Sequence, residues 1–244
     1  MNFAGYLKSY TLESWNHYAN IEFEKRSNIA QKIADDYNLR LICVNSNISD
    51  LYQGAHLFSH TFRTCSVIFA TQKMWSRYYF ASAGLSRRFE PSVELGSASY
   101  DDFTLNCFVL KGLSFGVHQA GLSRLEKTKL LTHNVSAQKL LNVCSFHTEN
   151  CGKCDKCIRT MLTLDILGAL DDFSEAFKDQ TTYIKNKWKY MGRVRFSNEK
   201  DDFLYEIKKY AQAHHIHYPW KTIFYPIYKM ILEVYLKLKP KKRR

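Results

Sequence analysis

The sequence predicts an α/β protein built on a parallel sheet, with a four-cysteine metal loop and a basic, mainly helical C-terminal extension. Three observations predict it. Segments with apolar residues at helical spacing alternate with short apolar runs that read as strands, the order that a parallel sheet requires. Cys144, Cys151, Cys154 and Cys157 fall within fourteen positions at the spacing Cys-x6-Cys-x2-Cys-x2-Cys. Of the 35 basic and 23 acidic residues, 16 and 5 lie between Thr181 and Arg244, so this quarter carries +11 of the net +12. The expected division is an α/β domain with its metal loop over residues 1–180 and the basic extension over 181–244.

The elements follow in order. Glu22 to Tyr37 reads as a helix, with Ile29, Ile33 and Tyr37 one turn apart. Leu39-Arg-Leu-Ile-Cys-Val-Asn45 reads as a strand. Gly54 to Phe69 is a second helix, with Phe58, Phe62, Cys65 and Phe69 along one face. Arg77 to Ser82 reads as a strand and Phe115 to His118 as a short third one. The segment Glu94 to Gly121, with Gly96, Gly112, Gly116 and Gly121, reads largely as loop. In open parallel sheets such loops lie at the carboxyl ends of strands, where ligands bind. They form neither a G-x-G-x-x-G nor a Walker pattern. Ser123-Arg-Leu-Glu126 is a capping box and starts a helix running to about His133. Leu140 to Cys144 reads as a short strand entering the metal loop, and a helix follows Cys157 with Gly168 near its end.

In the extension, Phe203 to Tyr210 reads as helix, and His214-His215-Ile216-His217 as an exposed polar turn rather than a metal site. Pro226 to Leu238 reads as an amphipathic helix. Lys229, Glu233 and Lys237 mark one face, and Ile227, Ile231, Val234, Tyr235 and Leu238 cover the other. It is too short and too charged to span a bilayer. Docking on the protein's own body is one reading of it. The other is attachment to an anionic membrane, because Lys237, Lys239, Lys241, Lys242, Arg243 and Arg244 follow the apolar face.

The 45 % hydrophobic content, with 10 Gly and 4 Pro, excludes a disordered chain. Met1 to Asn20 carries polar residues throughout, which is not the pattern of a secretory signal. The expected location is cytoplasmic, peripheral to the inner face of the membrane. Seven reduced cysteines fit that compartment. Cys43, Cys65 and Cys107 sit in apolar surroundings and are expected in the core.

The cysteine run carries the chemistry. Thiolates two residues apart turn inward on a tight bend and bind one ion, and Asn150 and Gly152 supply the backbone freedom for that bend. Four thiolates around Zn²⁺ form a closed tetrahedral site of the structural kind. An iron–sulfur cluster is the rival. Ferredoxin runs continue with a fourth Cys and a Pro, whereas Ile158-Arg159 follows here and the fourth cysteine lies upstream. His147 is a substitute ligand that four thiols make unnecessary.

Asn150-Cys-Gly-Lys-Cys-Asp-Lys-Cys157, preceded by Cys144, resembles the zinc motif of the cyano-deazaguanine synthases of the queuosine pathway. Those are members of the PP-loop (N-type ATP pyrophosphatase) superfamily. The likeness is closer to their relatives associated with bacterial surface-polysaccharide loci. There a Gly-Ser, a His and a Ser-Arg-x-Glu-Lys segment precede the cysteines. Gly96-Ser97, His118 and Ser123-Arg124-Leu125-Glu126-Lys127 match in that order, and Asn150 to Met161 continues the pattern. The resemblance covers about Ile29 to Gly168. It implies a Rossmann-like domain of the adenine nucleotide alpha hydrolase type, and a lineage chemistry of ATP-dependent adenylation with amide- or nitrile-type ligation. His118, Arg124 and Lys127 become the candidates for phosphate or substrate contacts.

One departure is large. The superfamily's Ser-Gly-Gly-x-Asp-Ser loop, whose amides hold the ATP phosphates at a helix N-terminus, is missing from the 244 residues. The sequence reads as entering the fold after the first β–α unit, as a truncated or degenerate member. A sheet so shortened leaves an edge for a protein partner to cover. ATP is expected as a ligand only if the missing unit is supplied. Three functions follow: an adenylating enzyme inactive as this chain alone, a non-catalytic zinc scaffold of a glycan-assembly system at the membrane, and, ranked below both, a nucleic-acid-binding zinc protein.

Overall fold

The computed structural model describes residues 12–51, 55–81, 96–119, 121–144 and 146–238. It is of the α/β class, mostly helical, with a small parallel sheet. The chain divides into two compact units, Met1–Lys127 and Thr128–Arg244. The expected boundary at residues 180 and 181 falls inside the second unit, at the start of a helix.

The first unit contains α1 (Leu12–Asp36), α2 (Ile48–Leu51), α3 (His56–Ala70), β1 (Arg77–Phe80), α4 (Asp101–Asn106) and β2 (Ser114–Val117). Among the described residues the sheet has two strands, paired parallel with Arg77 opposite Ser114 and Phe80 opposite Val117. Its core forms where α3 and α4 meet the sheet. Cys65, Phe80 and Leu105 are buried, with Phe69, Tyr78, Phe108, Phe115 and Val117 packed around them. The rings meet edge to face, as their quadrupoles favour: Phe69 and Phe108 are 5.1 Å apart and Phe69 and Phe115 5.3 Å. Phe69 and Cys65 come from the helical face read in the sequence. Of the three scattered cysteines only Cys65 is in the core; Cys43 and Cys107 are exposed.

Two expected strands are not strands. Residues 39–47 have no regular structure, and Leu39 and Val44 are exposed. Their alternation has no neighbouring strand to pair with among the described residues, and an unpaired strand is not stable alone. Leu140 instead closes a helix, α6 (Val135–Leu140), which Asn134 caps by accepting the Ala137 amide at 2.8 Å. The segment expected to be loop, Glu94 to Gly121, contains a 3₁₀ turn at Ser97–Tyr100, α4 and β2 among its described residues.

The helix α5 (Arg124–Leu131) starts with the predicted box. The Ser123 amide donates to Glu126 Oε2 at 2.7 Å, and the Glu126 amide donates to Ser123 Oγ at 3.1 Å. The second unit then packs α7 (Asp155–Ile166), α8 (Thr181–Arg195) and α9 (Asp202–Ala213) against one another. Met161, Leu164, Phe173, Phe177, Tyr183, Val194 and Ile207 are fully buried there. Asp165 of α7 ties α8 in place: it accepts from the Tyr183 hydroxyl at 2.5 Å and from Lys187 Nζ at 2.7 Å. Burial, then the Asp165 charge, push the Tyr183 phenol far above its ordinary range. The last helix is α10 (Tyr225–Leu238), as the sequence predicts for Pro226 to Leu238. Residues 239–244, the basic run, lie outside the described residues.

Candidate metal centre

The site is assembled at the N-terminus of α7. Cys154 is the residue that precedes the helix, with an extended backbone, and Cys157 lies in the first turn. A two-residue spacer across a helix start brings both sulfurs to the same side of it. Helix N-termini favour anions, so this is a favourable place for two thiolates. Cys151 precedes the turn, and the Cys154 amide donates to Cys151 Sγ at 3.4 Å. Gly152 makes the bend possible: its φ is +67°, and it lies so close to the Asp179 carbonyl that a Cβ would sit 1.9 Å from that oxygen.

Cys144 arrives from the other limb, and Asn150 sets its position. Asn150 Oδ1 accepts the amides of Val143 at 2.9 Å and Cys144 at 3.2 Å. Its Nδ2 donates to the carbonyls of Leu141 at 2.7 Å and Ala176 at 2.9 Å. This explains why 141–144 is not a strand: its amides are turned onto a side chain instead of a neighbouring ladder. Asn142 also donates to the Thr148 carbonyl across the same loop.

The four sulfurs are thereby gathered within 4.8 Å of one another. Cys144 and Cys154 are 3.9 Å apart, Cys151 and Cys157 4.0 Å, and Cys154 and Cys157 3.4 Å. All four are free thiols, with Cys144 and Cys157 buried. Four sulfurs about 2.3 Å from one ion stand about 3.8 Å from one another at the corners of a tetrahedron. The observed separations are of that size, so the residues could hold one metal ion. Burial, and then the hydrogen bond and charge of Cys154, push the Cys157 thiol well above its ordinary range. His147 is exposed and stands outside the sulfur group. The loop's surface charges are partly opposed: Lys153 faces Asp179 at 3.8 Å and Lys178 faces Glu149 at 3.4 Å.

The other predicted contacts lie in the first unit. His118 follows β2 directly, exposed, and its amide donates to the Phe80 carbonyl at 3.0 Å. It therefore stands at the carboxyl end of the parallel pair. Arg124 is exposed, on the first turn of α5. Lys127 is half-buried, and burial followed by the Arg124 charge lower its pKa while Asp101 opposes the fall. Lys127 thus lies within electrostatic reach of Asp101.

Asp101 belongs to a buried polar chain that the sequence did not reveal. The Thr61 hydroxyl donates to Asp101 Oδ1 at 2.6 Å and lies 3.0 Å from Ser97 Oγ, which is 2.9 Å from His60 Nδ1. Asp101 is 1 % exposed, and its second oxygen has no hydrogen-bond partner. The chain fastens α3 to the turn that carries Gly96-Ser97. Only tertiary packing brings residues 60, 61, 97 and 101 together, so no local spacing could have found them. The histidines of the 214–217 turn are exposed, as expected of a polar turn.

Comparison with family models, with curated proteins and with solved structures gives no match.

Proposed function

We propose that the chain is a zinc protein of PP-loop-like lineage, in which Cys144, Cys151, Cys154 and Cys157 hold one structural Zn²⁺. The observation that carries the metal assignment is the separation of the sulfurs, 3.4 to 4.0 Å for three of the pairs. A mononuclear tetrahedral ion fits that spacing. A four-iron cluster places each thiolate on a different iron and needs them farther apart. A closed thiolate set leaves no coordination position for a substrate, so the ion's contribution is to fold the loop and fix the start of α7.

The catalytic half of the reading rests on the resemblance. A Rossmann-like domain of the adenine nucleotide alpha hydrolase type would place its ligand at the carboxyl ends of β1 and β2, where His118 stands. Arg124 and Lys127 are the basic residues we assign to phosphate or substrate contacts, with Lys127 held near Asp101. The lineage chemistry is ATP-dependent adenylation followed by amide- or nitrile-type ligation, in surface-polysaccharide biosynthesis. The 244 residues contain no Ser-Gly-Gly-x-Asp-Ser loop, so this chain by itself is proposed not to convert ATP to AMP and pyrophosphate. A protein partner that covers the sheet edge and supplies the loop would complete the site.

A non-catalytic zinc scaffold is the second reading, favoured by the closed ligand set. Nucleic-acid binding ranks below both, because two of the lysines around the metal loop already face acids.

Alkylation read by mass spectrometry tests the metal assignment. In zinc-replete protein Cys43 and Cys107 should react fast, and the four loop cysteines only after a chelator is added. Equal reactivity of all six would overturn it. Pyrophosphate release above a heat-killed control, abolished by Lys127→Ala, would overturn the inactive-alone reading.

A further inference from the structure

The last 25 described residues place an apolar and aromatic surface beside a basic run. In α10 every residue past Tyr228 is exposed or half-buried, and the helix has no buried residue at all. Among the described residues its aromatic seats on its own unit lie along one flank. Tyr225 sits directly on Gly192 of α8 and stacks on Phe196, while Tyr228 meets Trp188 edge to face at 5.5 Å. The preceding 3₁₀ turn, Trp220–Phe224, is pinned by Thr222, which is fully buried and accepts from Arg195 at 3.0 Å.

The neighbouring side has no such seat among the described residues. Ile227, Met230, Ile231, Val234 and Leu238 span roughly 100° of the helix circumference at 100° per residue. Ile231 is 60 % exposed and Leu238 77 %. In the preceding turn Trp220 is 67 % exposed, and Ile223 and Phe224 are exposed as well. Among the described residues the docking of this helix on the protein's own body runs along its Tyr225–Tyr228 edge. Lys237 borders the apolar face, and Glu233 and Lys229, paired at 3.9 Å, lie farther round the helix. Lys221 adds a charge beside Trp220, and the sequence continues with Lys239, Lys241, Lys242, Arg243 and Arg244.

We propose that this face docks on an anionic lipid surface, α10 lying in the interface with its free side toward the acyl region. The proposal does not depend on the zinc reading. Charge complementarity selects the occupant. An apolar arc bordered by Lys237, an exposed tryptophan in the turn before it and five cations next in the sequence match a bilayer's apolar boundary and its negative headgroups. A second copy of the chain would bring the same cations face to face, and a polyanion such as RNA would leave the apolar arc in water. Among the described residues no helix is long and apolar enough to cross a membrane, so the contact is peripheral.

The test is co-sedimentation of the full zinc-replete chain with phosphatidylcholine vesicles, with and without phosphatidylserine. Binding should require the anionic lipid and fall with salt. Neutralising Lys239, Lys241, Lys242, Arg243 and Arg244 to glutamine should weaken it at least about tenfold. Ile231→Glu should also weaken it at least about tenfold, without unfolding the protein, since Ile231 is exposed and its side chain is not part of the core. Trp220 emission should shift to the blue on anionic vesicles, a shift lost in Trp220→Phe. Equal sedimentation with neutral vesicles overturns the proposal. So does anionic binding untouched by Ile231→Glu, which would mean charge attraction alone, and so does a stable dimer that Ile231→Glu dissociates with no vesicle binding.

Discussion

Replacing Gly152 by alanine perturbs the metal loop at its tightest point. Two costs add. A residue with a Cβ in the left-handed region, here at φ +67°, costs about 1–2 kcal/mol. The new Cβ would also lie 1.9 Å from the Asp179 carbonyl oxygen, so the two backbones must part by roughly 1.6 Å to reach an ordinary contact of about 3.5 Å. Such overpacking costs about 1–3 kcal/mol. The expected loss is about 3 kcal/mol in urea unfolding of the zinc-loaded protein. Because the strain falls on the folded loop, zinc affinity in chelator competition should drop about 100-fold. Gly168→Ala is the internal control. Gly168 has φ +70° just after α7, but a Cβ there meets nothing within 4 Å. It should cost only the conformational part, about 1 kcal/mol, with zinc affinity unchanged. Equal losses in the two variants, or a Gly152→Ala protein that keeps its zinc affinity, would refute the reasoning.

Two further predictions rest on single side chains. Asn150→Ala leaves two amides and two carbonyls of the loop without their partner and should cost about 3 kcal/mol and lower zinc affinity; wild-type stability and affinity would remove Asn150 from its place as organiser. The Tyr183 phenol is raised above its ordinary value of 10.0 by burial and by Asp165. Above that pH the unfolded chain has lost a proton that the folded chain keeps. Its contribution is therefore full below about pH 10 and falls as pH rises, by up to about 1.4 kcal/mol per pH unit. Tyr183→Phe should flatten the fall in stability between pH 10 and 11 measured by urea titration, and an unchanged slope would contradict the account.

Local chemistry was legible in the sequence. The cysteine spacing, the Ser123–Glu126 box and the amphipathic run ending at Leu238 each act within a few residues, and the structure reproduces each. The parallel pair was partly legible: Arg77 to Phe80 and Ser114 to Val117 are strands. The alternation in Leu39 to Asn45 failed because alternation states only which face a strand would bury, not whether a partner strand exists to pair with it. Leu140 to Cys144 failed because Asn134 starts a helix just before it and Asn150, from beyond it, takes its amides. The role of Asn150 needs Leu141 and Ala176 brought together, and the Asp101 chain needs α3 beside α4. Both are products of packing, which spacing along the chain does not encode. The extent of apolar exposure on α10 was equally hidden, since an amphipathic pattern reads the same whether its face is covered or free.

The central claim is one zinc ion held by four sulfurs. X-ray absorption at the zinc edge, together with elemental analysis of purified protein, tests it most directly. The account predicts one zinc per chain, four sulfur neighbours at about 2.3 Å, and loss of the metal in Cys154→Ser. Stoichiometric iron with inorganic sulfide and a visible charge-transfer band, or a zinc bound through nitrogen and oxygen that survives Cys154→Ser, would contradict it.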